Sequence, residues 1–230
     1  DKFSIRQMIR FAWSIWSKGS SITLSFGKPM DVLGNFVDAE GISYDQFEKP
    51  VDVKDYFVSD GEVLTDLQRD REYTRILTEK MVDRYAVENV VLSSHLVAYC
   101  AFQLLRHQNA ELDLYGTLRL PPEDFEFGRE PLLFYLEKMQ EHLKEMEARG
   151  QIRLDDTIHL GPEELLEDGI SNLGIYHASK PLCYTRRGKK LISQDFRLLF
   201  FYHNRLENYG FDRVLADETI QNQVAQLVEK

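Results

Sequence analysis

The amino-acid sequence predicts a mainly α-helical protein of the α+β class, with a helical C-terminal domain that carries short hairpins. Two observations lead to this prediction. Several stretches place apolar residues at i, i+3, i+4 and i+7, which is the spacing of one helix face. Runs with the period-two alternation of a strand are few and short. We therefore expect helices that pack on one another, with little sheet between them.

The composition is that of an ordinary globular protein and argues against one class of partner. The 230 residues are 43% hydrophobic and 29% charged, which suits one large domain or two small ones. Lys and Arg total 28 against 38 Asp and Glu, so the formal net charge is −10. Because sequence-general nucleic-acid binding depends on neutralising phosphates, we expect no nucleic-acid partner.

Cysteine usage and hydropathy indicate the compartment. Cys100 and Cys183 are the two cysteines, which excludes a disulfide framework and favours a reducing environment. No stretch of about 18 uncharged apolar residues occurs, so we predict no membrane span. The sequence begins at Asp1 and shows no signal peptide, and we interpret it as part of a longer protein.

The N-terminal residues predict a helix and then a strand. Residues 3–17 contain no acid and carry an apolar stripe that includes Trp13 and Trp16. This stripe suits either the headgroup region of a bilayer or packing against another domain of the parent protein. Residues 21–26 alternate with period two and predict a strand, which a Gly-Lys-Pro segment ends.

Residues 31–63 are acidic and rich in loop-forming residues, and they are our candidate domain boundary. They suit either an inter-domain connection or a loop packed over the first unit. We therefore divide the chain into residues 1–60 and a helical domain of residues 61–230.

Long helices are predicted for the C-terminal domain. Residues 64–108 read as helical, and the segment 87–105 is apolar on nearly all sides, as expected of a buried central helix. After Pro131 we predict a helix with a narrow apolar seam. The seam consists of Leu132, Leu136, Met139, Leu143 and Met146.

Two hairpins and one capped helix complete the predicted domain. Residues 151–160 and residues 182–192 each read as two short strands around a turn. Ser193 is predicted to cap the helix that follows.

Searches for catalytic motifs find little. No glycine-rich phosphate loop, Cys-x-x-Cys, His-Glu-x-x-His or Gly-x-Ser-x-Gly motif occurs, so we predict no metal and no cofactor. Ser94 and His95 are adjacent, but neighbours on a helix project about 100° apart. We interpret them as buried side chains satisfied by local hydrogen bonds, and His203 as a core histidine.

One local reversal of charge occurs in this acidic chain. Residues 180–190 contain no acid and five cations, namely Lys180, Arg186, Arg187, Lys189 and Lys190. The cluster suits contact with a phosphate or an anionic membrane surface, or else a solvated hairpin tip.

Several segments resemble the glycerol-3-phosphate acyltransferase family. Residues 25–32, Ser-Phe-Gly-Lys-Pro-Met-Asp-Val, are similar to the stretch after the last catalytic block, where a Phe-Gly-x-Pro segment closes the acyltransferase fold. The similarity continues through residues 37–41, 93–98, 176–182 and 194–206. The similar segments are dispersed over most of the chain. Each one is short, and the resemblance rests on the order in which they occur.

The resemblance implies that residues 1–60 end an α/β acyltransferase domain and that the parent protein is an enzyme of phospholipid biosynthesis. That enzyme transfers a fatty acyl group from acyl-CoA or acyl-carrier protein to the 1-hydroxyl of glycerol 3-phosphate. A histidine acts as general base and an aspartate orients it. The parent would be a peripheral protein on the cytoplasmic side of the membrane, and the partner of this chain would be the N-terminal acyltransferase domain.

The sequence departs from the family where the catalytic residues lie. It has neither a His-x4-Asp pair nor the Phe-Pro-Glu-Gly block, so no catalytic residue carries over. We expect an inactive C-terminal region with a structural, regulatory or docking role. Two alternatives are a winged-helix-like protein-interaction module over residues 64–210, with residues 151–160 as its wing, and a hydrolase that uses Ser94 and His95.

Overall fold

A computed structural model describes residues 22–59, 61–63, 65–117, 119–121, 125–177, 179–185 and 190–228. Eight helices and ten short strands lie within these residues, of which 55% are helical. The predicted mainly α, α+β class is therefore confirmed. Contacts divide the chain into two compact units: the first unit is Leu24–Asn89, and the second unit includes Val90 and the residues after it.

Short strands and one long helix make up the first unit. Its antiparallel sheet has three strands in sequence order, β1 (Phe36–Val37), β2 (Ser43–Tyr44) and β3 (Pro50–Val51). A 3-10 helix (Val53–Tyr56) leads to a second hairpin and the helix, which are β4 (Val58–Ser59), β5 (Glu62–Val63) and α1 (Leu67–Glu88). The described part of residues 31–63 is thus a small folded meander and not an unstructured connection.

The predicted strand over residues 21–26 is wrong for the part that the structure describes. Residues 22–29 lie in neither a helix nor a strand. A strand is stable only when a neighbouring strand supplies its hydrogen bonds, and the described residues provide none for this segment.

The boundary predicted after residue 60 differs from the division between the two units. Side chains of α1 reach back to the preceding segment: Lys80 Nζ lies 3.4 Å from Leu33 O, and Ser25 Oγ donates to Glu88 Oε2 at 3.1 Å. Because of these contacts, α1 belongs to the same compact unit as residues 24–66. The assignment of residues 1–60 to an acyltransferase domain stays a prediction.

Helices that surround a central helix form the second unit. They are α2 (Ser93–Gln108), α3 (Leu114–Thr117), α4 (Arg129–Ala148), α5 (Pro162–Asn172), α6 (Phe196–His203), α7 (Asp212–Leu215) and α8 (Glu218–Val228). All residues of α2 from Leu96 to Leu105 are buried, and α4, α5 and α6 pack against them. The prediction of a buried central helix is confirmed, but this helix begins at Ser93 and is separate from α1.

The strands of the second unit confirm one predicted hairpin and contradict the other. A three-stranded antiparallel sheet has the spatial order β7 (Glu126–Gly128), β10 (Lys190–Ile192) and β9 (Cys183–Tyr184). The pairing of β9 with β10 agrees with the hairpin predicted over residues 182–192.

The hairpin predicted over residues 151–160 is wrong. The remaining pair is parallel and joins β6 (Val90–Val91) to β8 (Arg153–Leu154). After β8, Asp155 accepts a hydrogen bond from the backbone N–H of Thr157 and caps a 3-10 helix (Asp156–His159).

The predicted seam of α4 is confirmed, and one predicted cap is wrong. Four of its five residues are fully buried, namely Leu132, Leu136, Met139 and Leu143, and Met146 packs against the core. The cap of α6 is Asp195, whose Oδ1 accepts from Leu198 N at 3.1 Å, and not Ser193. A carboxylate oxygen satisfies a free N–H of the first turn as well as a hydroxyl does.

Packing of α5 on α2 requires a glycine. A Cβ added to Gly169 would lie 2.9 Å from the carbonyl oxygen of Ser93 and would overlap the side chain of Val97. We predict that Gly169→Ala lowers the free energy of unfolding by about 1–3 kcal/mol, since overpacking shifts the backbone. Urea denaturation of the full chain measures this change.

Gly161→Ala is the matched control, because nothing lies within 4 Å of a Cβ there and φ is −62°. Its cost should stay below about 1 kcal/mol, the usual range for a changed N-cap residue. Equal costs for the two substitutions would show that α2 and α5 do not cross closely at Gly169.

Candidate functional site

The basic cluster predicted at residues 180–190 is described only in part. Lys190 Nζ lies 2.8 Å from Glu126 Oε2, so its charge is paired between β7 and β10. Lys180 donates its backbone N–H to Gln194 Oε1 at 3.1 Å. The other members of the cluster lie outside the described residues and are Arg186, Arg187 and Lys189. Because three of the five members lie outside the described residues, the phosphate or membrane role of the cluster stays a prediction.

The predicted membrane or packing stripe of the N-terminal helix also lies outside the described residues, with Trp13 and Trp16. Its role is likewise a prediction.

Ser94 and His95 lie in the first turn of α2, and no hydrogen bond between their side chains occurs in the described part of the chain. Ser94 is buried, as predicted. Burial lowers the pKa of His95 to about 4, with a further contribution from the positive charge of Arg205. Its buried Nδ1 lacks a hydrogen-bond partner among the described residues, so the prediction of local satisfaction is wrong for this atom.

His203 is a core histidine, as predicted, with 1% of its surface exposed. Its ring stacks on that of Tyr99, with centroids 4.9 Å apart and planes 2° from parallel. Nε2 lies 2.9 Å from Glu207 Oε2, and Nδ1 lies 3.2 Å from Asn204 Oδ1. Both ring nitrogens therefore face protein groups, and neither is available as a general base.

Burial is also the main influence on the protonation of His203. It lowers the pKa of His203 to about 4, against a raising effect of the hydrogen bond with Asn204, and the charge of Arg106 lowers the pKa further. At neutral pH the imidazole is therefore uncharged. A cavity of about 340 Å³ lies beside this ring, with Phe102 and Phe200 among its walls.

A second cavity, of about 330 Å³, lies in the first unit and has a different character. We call it the basic pocket. It is lined by Lys28, Pro29, Met30, Gly34, Phe36, Lys80, Asp83 and Arg84. Three of these side chains are cations and one is an anion, in a chain whose net charge is −10.

A tight loop supports the basic pocket. Asp31 Oδ1 accepts the backbone N–H of Leu33 at 2.8 Å and of Asn35 at 2.9 Å. Burial alone would raise the pKa of Asp31, but these hydrogen bonds together with those from the side chains of Asn35 and Ser43 lower it. Gly34 in the same loop has a φ of +74°, a conformation that side chains with a Cβ rarely adopt.

The sequence did not point to this pocket, because its cations lie far apart along the chain. Lys28 is 52 residues from Lys80, and no motif spacing joins them. The one available signal is that Lys80 and Arg84 stand at i, i+4 and so share a face of α1.

The first unit has almost no core of its own. In the described part of the chain, 31 apolar side chains are buried, and Leu33 is the single one that lies between residues 24 and 89. α1 contributes no buried residue, and it exposes Leu67, Met81, Val82 and Tyr85. Leu24 and Phe26 are 75% and 85% exposed.

Comparison of the chain with known protein families, with curated proteins and with solved structures gives no match. Within the described residues, no group of three or more His, Cys, Asp or Glu side chains is arranged to hold a metal ion. None of the helices described is both long enough and apolar enough to cross a bilayer.

We predict a pH dependence of stability that comes from His203. Its pKa is about 4 in the fold and near 6.5 when exposed, so between these values the unfolded state binds more protons. Stability should therefore fall as the pH decreases from 6.5 to 4. The contribution of this one group amounts to about 3 kcal/mol at most.

Other groups titrate in the same range, so the useful quantity is the cost of His203→Gln at each pH. This cost should shrink by about 2–3 kcal/mol between pH 7 and pH 4, because the variant has no imidazole to protonate. His159→Gln, at an exposed position, is the control. A cost that is the same at both pH values would mean that the imidazole of His203 is protonated readily within the fold.

Proposed function

We propose that the chain is the C-terminal region of a membrane-associated glycerol-3-phosphate 1-O-acyltransferase of phospholipid biosynthesis. In this proposal the first unit docks on the N-terminal acyltransferase domain, and the chain itself carries out no acyl transfer. The enzyme acts as a peripheral protein at the cytoplasmic face of the membrane, because its product is a lipid that must enter the bilayer.

The observation that supports the proposal most is the missing core of the first unit. Burial of apolar side chains is the main favourable contribution to folding. Among the described residues of the first unit, Leu33 is the one apolar side chain that is buried. Its exposed apolar side chains therefore need to be covered by another domain.

The resemblance indicates which domain that is. Leu24 and Phe26 lie in or next to the segment 25–32, which is similar to the residues after the last catalytic block of the acyltransferases. Their alternation is that of a strand, yet the segment forms none in the described chain. A strand at the edge of the acyltransferase sheet would supply the missing hydrogen bonds and cover both side chains.

The similar segments of the second unit support a structural role for it. Residues 93–98 form the start of α2, and residues 194–206 contain α6, and these two helices pack together. Each of these two segments contains a buried polar side chain, Ser94 in the first and His203 in the second. The segments therefore contribute to packing between the helices. A scaffold beside the catalytic domain is the function that fits this arrangement.

Neither alternative gains support from the described residues. The winged-helix module requires a wing at residues 151–160, where the chain forms β8 and a 3-10 helix. The hydrolase requires a hydrogen bond between Ser94 and His95, but Nδ1 of His95 has no hydrogen-bond partner among the described residues.

An acyl-transfer assay tests the proposed function. We expect the native protein, with its upstream residues, to form lysophosphatidate from glycerol 3-phosphate and acyl-CoA or acyl-carrier protein. We expect the present chain to form none, since its sequence contains no His-x4-Asp pair. Product from the chain alone would contradict the docking role, and no product from the native protein with either donor would contradict the acyltransferase assignment.

Docking is tested separately by hydrogen exchange. We predict that backbone amides of residues 24–36 exchange at least about 100-fold more slowly in the native protein than in the isolated chain, because docking prevents local opening. Amides of α2 should exchange at similar rates in both, since its core is complete.

A matched pair of variants extends this test. Phe26→Asp should remove the added protection in the native protein, because a carboxylate would be buried at the interface. Tyr115→Asp changes a residue of the second unit that is 72% exposed, and it should leave the protection intact. Equal effects of the two variants would rule out the proposed docking surface.

A further inference from the structure

The basic pocket combines positive charge with an apolar wall. Lys28 Nζ lies 5.6 Å from the centroid of the Phe36 ring, and Lys80 Nζ lies 3.4 Å from a backbone carbonyl. Neither lysine forms an ion pair with another described residue. Two ammonium groups thus remain available for an anionic ligand.

The third cation is partly neutralised. The guanidinium of Arg84 donates to Glu88 Oε1 at 2.8 Å, yet its buried Nε has no hydrogen-bond partner in the described chain. Asp83 is the one carboxylate in the lining. When Glu88 is included, the pocket still has more positive than negative charge.

The lysine on α1 packs closely against the loop that contains Gly34. A Cβ at Gly34 would lie 2.5 Å from Cδ of Lys80, so the methylene chain of the lysine lies directly over the glycine backbone. This close approach holds the ammonium group near the loop that Asp31 stabilises. While the loop is packed on α1, the ammonium group of Lys80 is thus held beside the other cations of the pocket.

We propose that the basic pocket binds a phosphate monoester that carries a short alkyl group. A phosphate monoester has a charge of about −1.5 to −2 at neutral pH and three acceptor oxygens, which suits several converging cations better than a carboxylate does. The alkyl group contacts the apolar wall of Pro29, Met30 and Phe36. A volume of about 330 Å³ accommodates a ligand of this size.

The same chemistry occurs in a soluble metabolite and in a lipid headgroup. Phosphatidic acid displays a phosphate monoester at a membrane surface, whereas phosphatidylglycerol displays a diester of lower charge. The experiment therefore has a soluble arm and a vesicle arm. Each arm is carried out on the full chain and on the native protein. Because both arms measure binding and not acyl transfer, their outcome does not depend on the outcome of the acyl-transfer assay.

The soluble arm measures binding of hexyl phosphate by calorimetry at low salt. We expect binding with a Kd below about 1 mM, and we expect Lys28→Gln and Lys80→Gln each to weaken it about fivefold. Lys54→Gln, at an exposed lysine of the same unit, is the matched control and should change nothing. All three substitutions lie at the surface or at a side-chain tip, and an unchanged circular dichroism spectrum verifies the fold.

Two further ligands separate the contribution of the cations to binding from that of the apolar wall. Inorganic phosphate should bind at least about tenfold more weakly, because it lacks the apolar contact. Hexanol should show no binding. Equal binding of hexanol and hexyl phosphate would refute the role of the cations, and equal binding of inorganic phosphate would refute the role of the apolar wall.

The vesicle arm measures flotation with phosphatidylcholine vesicles that contain phosphatidic acid or the same fraction of phosphatidylglycerol. Recovery with phosphatidic acid alone, reduced by the double change Lys28→Gln and Lys80→Gln, identifies a lipid source. Binding of hexyl phosphate without flotation identifies a soluble one. If the native protein and the chain fail in both arms, the proposal is wrong.

Discussion

Burial of α2 on every side is the constraint on which the second unit depends. A helix without a polar face is stable in water only if other elements cover it completely. Three helices, α4, α5 and α6, provide this cover. To cover α2 completely, α5 must cross it closely at Gly169. The same packing buries polar groups, which then need hydrogen-bond partners within the protein.

Several polar groups around α2 find such partners, whereas Nδ1 of His95 and the hydroxyl of Tyr99 have none among the described residues. Ser93 at the helix start donates to Asp168 Oδ2 at 2.5 Å, and Gln140 on α4 donates to two backbone carbonyls of the 3-10 helix region. His203 stays neutral between Tyr99 and Glu207. These contacts join the helices to one another, so the side chains of Ser93, Gln140 and His203 take part in the packing of the second unit.

The sequence predicted the features of the second unit that depend on local periodicity. The seam from Leu132 to Leu143 repeats every three or four residues, so it is visible without knowledge of its neighbours. The parallel pairing of β6 with β8 joins residues about 60 positions apart, and two-residue strands leave no alternation to detect. At residues 151–160 the capping preference of Asp155 outweighs a weak strand pattern, a competition that sequence pattern alone does not decide.

The first unit shows a different limit of prediction. The alternation at residues 21–26 is typical of a strand, but a strand also requires a neighbour, and no strand of the described residues pairs with this segment. Likewise, the basic pocket depends on the positive φ of Gly34 and on the direction in which α1 returns to the loop. Both features arise from tertiary contacts between distant segments, which no local spacing encodes.

The two proposals for the first unit are thermodynamically connected. The basic pocket exists only while the loop at Asp31 is packed against α1, and Leu33 is the one buried apolar side chain among the described residues that supports this packing. A docked domain and a bound phosphate monoester both favour the same folded state of this unit. Because linkage is reciprocal, docking must strengthen ligand binding by the same factor by which the ligand strengthens docking. If both proposals hold, docking of the first unit and binding of a phosphate monoester are therefore coupled, and each responds to the other.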